Sequence, residues 1–441
     1  MTRKMKDSGV EWIGEIPESW EVARFKDIAN LYTGNSISSD DKSKYIINKG
    51  NTYPYVATKD ILLGSNTVDY SDVLYIPSEN TTFKIAVADS VLMCVEGGSA
   101  GKKKTYLTQT VTFVNKLCCF APTNIEGKYL FYILSSKGFE EEFNKYLSGL
   151  ISGVSISILK NVYLTYPKDK FQQQKIVDIL DDKIGRIDQI ISETQQSIEE
   201  LKKYKQSVIT EAVTKGLDKK AKMKDSGIEW IGEVPSDSKI VRIKNYFTLK
   251  GRIGWQGLTS AEYIDEGPYL ITGVDFANGE IDWNKSVHIS EKRYEEAPEI
   301  HIKEGDLLIT KDGTIGKVAI TKNTPQKVSL NSGVMLIREK LNNGLNKKFM
   351  YYILLSDIFW KWFNLSNIGA STINHLYQGQ FYNFSFPLMT IEKQNEIVLY
   401  LDYKTKIIDS LISTKEQIIN SYEQYKKSLI YEYVTGKKEV E

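Results

Sequence analysis

Lysines beside glycine-rich turns are the residues in this sequence whose type and spacing could do chemistry. Glu96–Lys104 reads EGGSAGKKK, and Lys311–Lys317 reads KDGTIGK. A cation on a tight turn can neutralise a phosphate, and a neighbouring polar side chain can reach a base edge. The candidates for such contacts are Lys102, Lys103, Lys104 and Tyr106 around the first turn. Around the second they are Lys311, Thr314 and Lys317, with Arg252 and Trp255 upstream. The same turns also fit plain hairpins carrying solvated lysines.

Sets of residues that would make or break bonds are missing. Gly101-Lys102 and Gly316-Lys317 lack the upstream glycine and following Ser/Thr of a P-loop, and no GxG occurs for a dinucleotide or adenosyl cofactor. No two prolines are adjacent, which excludes the N/D-P-P-Y/F loop of an amino-methyltransferase. His288, His301 and His375 form no HExxH. Cys94, Cys118 and Cys119 have no CxxC spacing and read as core thiols of a reducing compartment. No catalytic residue and no metal ligand is assigned.

The elements that hold the two turns follow from a repeat. Met5–Pro17 reads MKDSGVEWIGEIP and Met223–Pro235 reads MKDSGIEWIGEVP, 218 residues later. Only two aliphatic swaps separate them, Val10/Ile228 and Ile16/Val234. A period this long implies a duplicated domain rather than a solenoid. Trp12/Ile13 and Trp230/Ile231 are expected to anchor the start of each domain against its core. The 441 residues suffice for two to four domains. With 57 Lys+Arg against 56 Asp+Glu, bulk charge alone would not coat a nucleic acid. The start of the chain has no signal-peptide pattern and no window reaches the ~20 apolar residues of a membrane span, so a cytoplasmic chain with no membrane partner is expected.

Residues 1–170 and 223–388 read as strand-rich heads, short apolar runs broken by Gly, Asn, Asp and Pro. Near the end of each head lies a helical stretch, Lys128–Tyr146 and Lys347–Phe363, the first with a break expected at Gly138. Residues 171–222 and 389–441 have a different texture. Apolar residues at Ile184, Ile187, Ile191, Ile198, Leu201 and Val208 mark a heptad seam, with a basic hinge after it. Ile408, Ile412, Ile419, Tyr422 and Leu429 continue a matching seam 221 residues on. Each helix would be about 60 Å long at 1.5 Å per residue. A head about 40 Å across cannot span that length to start a parallel helix. The two helices are therefore expected to pair antiparallel, giving an α+β chain with a head at each end of a coiled coil and pseudo-two-fold symmetry.

Two similar heads on a fixed spacer suit a ligand with two separated sites, and DNA is such a ligand. With the repeats, the G-x-S-x-I-x-x-L-like stretches Gly153–Leu159 and Gly369–Leu376, and the Q-x-x-I-V…L-D runs Gln173–Asp181 and Gln394–Asp402, the chain resembles the specificity (S) subunits of type I restriction–modification systems, the HsdS family. The first repeat continues to Trp20 as the family's often does, whereas the second has Ser238 there. The resemblance implies two target recognition domains, each reading half of a bipartite target in double-stranded DNA. It implies a coil that sets the spacer and docks two methyltransferase (modification) subunits, with restriction/translocase subunits completing the complex. It also implies a non-catalytic chain that binds no cofactor, with S-adenosylmethionine, ATP and Mg²⁺ on the partners. The alternative is a coiled-coil scaffold whose heads bind proteins and read no DNA. The near-identical repeats add the hypothesis that their coding DNA recombines to exchange heads.

Overall fold

The structure, a computed structural model, describes residues 3–46, 50–147, 153–252, 257–340, 344–367 and 375–440. The chain sorts into two compact units, residues 1–195 with 416–441, and residues 196–415. Each unit takes one head and half of each long helix, so the four consecutive segments of the sequence do not become four bodies. The reason is burial. In the first unit Ile176, Leu180 and Ile184 of one helix and Leu429, Ile430 and Val434 of the other share a core with Phe25, Phe120 and Phe139. In the second unit Val208, Ile209 and Val213 share a core with Ile397, Leu401, Phe349 and Phe359.

The heads have the same plan. In head one, Ala29–Thr33, Leu117–Pro122, Val91–Cys94 and Lys104–Tyr106 form an antiparallel sheet in that order. In head two, Phe247–Gly251, Val334–Glu339, Leu307–Thr310 and Val318–Ile320 repeat it. A second sheet in each head contains one parallel pair, Tyr55 opposite Thr112 and Leu270 opposite Ser329. The strands Val91–Cys94 and Leu307–Thr310 are buried at every position, which is why they read as apolar runs, the second closing on a buried Thr310. Cys94, Cys118 and Cys119 are buried thiols, and burial pushes that of Cys119 up to about 11.

The sequence repeats fold alike. Each is a small hairpin, Met5 paired with Pro17 and Met223 with Pro235. Asp7 and Asp225 each accept from the amide two residues on, at 3.0 Å, as Asx turns require. Trp12 and Ile13 are buried in the first core and Ile231 is buried, with Trp230 packed on the second core. In the first unit the hairpin sits on the end of the second long helix. The Tyr431 hydroxyl donates to the Trp12 carbonyl at 3.0 Å, and the Lys437 ammonium donates to that of Ile13. Gly436, at φ +70°, lies against Pro17, where an added Cβ would come within 2.5 Å of Cδ.

Each helical stretch of the heads is two short helices. Gly127–Ser135 is followed by Lys137–Lys145, and Lys347–Leu355 by Asp357–Ser366. The break in head one is at Ser136, not at Gly138 as expected. The Ser136 hydroxyl caps the second helix by accepting from Phe139 N at 3.3 Å. Gly138 serves packing instead, since a Cβ there would meet Trp12 at 2.7 Å and Tyr431 at 2.8 Å.

The long helices run Lys170–Lys215 and Ile391–Val434. Their Q…D pattern has a physical basis. The fully buried Gln173 amide donates to Pro167 O and accepts from Glu126 N, both at 2.8 Å. Gln394 donates to Met389 O at 2.8 Å and accepts from Asn346 N at 2.7 Å. Asp181 accepts from Lys128 at 2.6 Å and Tyr132 at 2.5 Å. Asp402 accepts from Lys348 and Tyr352, both at 2.6 Å. These four residues bolt each head to the start of its own long helix.

The two long helices pack antiparallel within each unit. In the first unit Asp188 pairs with Lys426 at 2.6 Å, and in the second Lys205 pairs with Asp409 at 2.7 Å. Of the seam, Ile184, Ile187, Ile198, Val208, Ile408 and Leu429 are buried, and Ile191, Leu201, Ile412, Ile419 and Tyr422 are half-buried. Charged and amide side chains fill the outer faces of the first helix, with i,i+4 pairs such as Arg186–Asp182.

Candidate nucleic-acid interface

The two lysine-bearing turns occupy equivalent places. Each connects a buried central strand to its edge partner, Val91–Cys94 to Lys104–Tyr106 and Leu307–Thr310 to Val318–Ile320. Each is held from the side by the stretch before the long helix, with Val154 N donating to Val95 O at 3.0 Å and Leu376 N to Lys311 O at 3.0 Å. That contact gives the Gly153–Leu159 motif a role in setting the turn. Residues 369–374 of the second motif lie outside the described residues.

Lys103 and Lys317 are counterparts. Lys103 Nζ donates to Thr58 O at 2.9 Å, and Lys317 Nζ to Gly273 O at 3.0 Å. Their acceptors lie in matching turns, where Asp60 accepts from Ala57 N at 2.8 Å and Asp275 from Thr272 N at 2.7 Å. Burial pushes the Asp275 carboxyl up. Both lysines are half-buried, so each spends one of three N–H donors on tying two turns together.

The other candidates separate by exposure. Lys102 and Thr314 are exposed, and Lys311 is half-buried. Tyr106 is half-buried and its hydroxyl donates to Asp89 at 3.0 Å; burial and the Asp89 carboxylate push it up to about 12. Lys104 and Arg252, unlike these, are buried. Lys104 is 5% exposed and donates to Leu134 O at 2.6 Å. Arg252 is 3% exposed, with Nε on Leu330 O at 2.8 Å and Nη2 on Ser329 Oγ at 2.9 Å. Trp255 lies outside the described residues.

The structure also gathers side chains that residue counting passed over. His375 Nδ1 contacts Asp312 of the KDGTIG turn, and its ring lies 4.5 Å from that of Tyr377, which is 55% exposed. His375 forms no HExxH with the other histidines, and no sequence spacing links it to Asp312, 63 residues earlier. The turn in head two thus presents Thr314 beside an Asp–His–Tyr cluster, whereas that in head one presents Lys102. Exposed polar and aromatic groups of this kind contact base edges and phosphates in duplex DNA. Among the described residues no group of three His, Cys, Asp or Glu is placed to hold a metal ion, and no helix is long and apolar enough to cross a membrane.

Comparison with known proteins agrees with the doubled plan. A family model described as the type I restriction modification DNA specificity domain matches twice, over residues 17–200 and 235–421. The type I restriction enzyme MjaVIII specificity subunit of Methanocaldococcus jannaschii is 25% identical over 438 residues, covering 96% of this chain and 93% of that protein. The Escherichia coli type I restriction enzyme EcoBI specificity subunit is 22% identical over 421 residues, covering 93% and 84%. One solved chain, from work on complex assembly and conformational transition of the type I R-M system, superposes with a TM-score of 0.71 at 15% identity. It covers 96% of this chain and 99% of that one, a likeness of fold.

Proposed function

The chain belongs to the type I restriction–modification DNA specificity family, and from that premise we propose that its heads read the two halves of a bipartite DNA target. The observation that carries this reading is the equivalent placement of two different turns. Lys102 stands on one, and Thr314 with Asp312, His375 and Tyr377 on the other. Like scaffolds with unlike loops suit readout of unlike half-sites. Lys103, Lys317 and Lys311 support the turns from partly buried positions and offer their remaining donors to the backbone, while Tyr106 spends its one donor on Asp89 and offers its ring. The antiparallel helices set the distance between half-sites and dock two methyltransferase subunits. Restriction/translocase subunits join the complex. Methylation and ATP-dependent cleavage reside in those partners, which hold S-adenosylmethionine, ATP and Mg²⁺, and the complex works in the cytoplasm.

Methylome sequencing of a host expressing this chain with a methyltransferase subunit tests the reading. The expected result is a bipartite motif with modified bases that vanishes when this chain is omitted. A soluble co-purifying complex that adds no modification would reject it in favour of the scaffold. Lys102→Glu and Lys311→Glu test the interface itself. Each should weaken DNA binding across sequences and flatten the log–log salt dependence by about 1.

A further inference from the structure

A cavity of about 670 Å³ opens in the first unit, beside the EGGSAGKKK turn and between head one and its two helix segments. Lys104 lines it, and the state of this lysine is unusual. Its ammonium is buried, and among the described residues its one acceptor is the neutral carbonyl of Leu134. A buried charge without a counter-charge in contact is costly. The acids nearby are engaged elsewhere, Glu140 by Lys427 at 3.0 Å and Asp188 by Lys426 at 2.6 Å. Glu423 lines the cavity as well, but Lys102 adds a further cation at the rim. The Ser135 hydroxyl also lines it and has no hydrogen-bond partner among the described residues.

Head two shows what the same framework looks like without these groups. Val318, paired with Ile309, takes the position of Lys104, paired with Met93. Leu355 ends the helix that Ser135 ends in head one. Trp360 stands fourth after the capping serine, as Glu140 does, and its indole lies against Gly316, where a Cβ would meet it at 2.4 Å. Polar groups in head one are apolar and space-filling in head two.

We propose that this cavity is a binding site for a small phosphate-type anion, with Lys104 as its central cation, Lys102 and Lys427 flanking it and the Ser135 hydroxyl donating. An anion there would supply the missing counter-charge. Burial also pushes the Lys104 ammonium down to about 8, so it is charged, and able to bind, near neutral pH.

The test is calorimetric titration of the full-length chain, without DNA, with inorganic pyrophosphate and with phosphate at constant ionic strength. Saturable binding is expected, weakened at least tenfold by Lys104→Met. Lys104→Met substitutes an apolar side chain as head two does, which favours its folding; should it fail to fold, Ser135→Leu and Lys102→Ala should each weaken binding severalfold. Absence of saturable binding, or equal binding by wild type and all three variants, would overturn the proposal. Displacement of pyrophosphate by duplex DNA through Lys104 would assign the phosphate to the DNA backbone and overturn a free anion.

Discussion

Gln173 satisfies one backbone donor and one backbone acceptor, and Gln394 one donor and two acceptors, in places water does not reach. Leaving such groups unpaired costs about 1–3 kcal/mol each. Gln173→Ala and Gln394→Ala should therefore each lower the unfolding free energy by about 2–3 kcal/mol, read as a lower urea midpoint. An unchanged midpoint would mean the buried amides find other partners. Lys104 carries a second residue-scale prediction. Burial is the largest cause of its depressed value; Glu140 opposes it and Lys427 adds to it. The unfolded lysine binds its proton up to about 10.4, so between about 8 and 10.4 the unfolded chain holds more protons. Stability relative to Lys104→Met should rise across that window and be flat below it, measured by unfolding at fixed salt.

At the scale of elements, the seam is where periodicity was most informative. Its residues are buried or half-buried along both helices, because a heptad repeat states directly which face must leave water. Ile191→Asp or Ile412→Asp would place an unpaired charge on that face. Each should unfold its helix pair at lower denaturant and reduce co-purification of a methyltransferase subunit. The Asp188–Lys426 and Lys205–Asp409 pairs are partly exposed and should each be worth less than about 1 kcal/mol, their value lying in register. The turns were legible as turns, but not in their use of lysine. Sequence alone does not say that Lys103 and Lys317 reach back to Thr58 and Gly273, or that Lys104 points inward while Lys102 points out. Those directions depend on strand register, which a short strand such as Lys104–Tyr106 does not announce. The pairing of His375 with Asp312 was hidden differently, since it joins two loops 63 residues apart that no periodicity links.

At the scale of the molecule, the doubled plan was written in the repeats, while the division into units was not. Exchange of residues 223–388 for another head should change one half of the modified motif and leave the other, as methylome sequencing would read it. Simultaneous change of both halves would mean the heads do not read independently.

The Tyr431, Lys437 and Gly436 contacts with the first hairpin set a timetable for biosynthesis. Residues 196–415, the whole of one unit, leave the ribosome before residues 416–434, which the other unit needs for its core. Domains generally close in order of synthesis. Here the first head to be translated is the last to be completed, and the nascent chain waits with part of an apolar face uncovered. A chain truncated after Lys415 and released from the ribosome should therefore show a protease-resistant second unit and a first unit still open to cleavage.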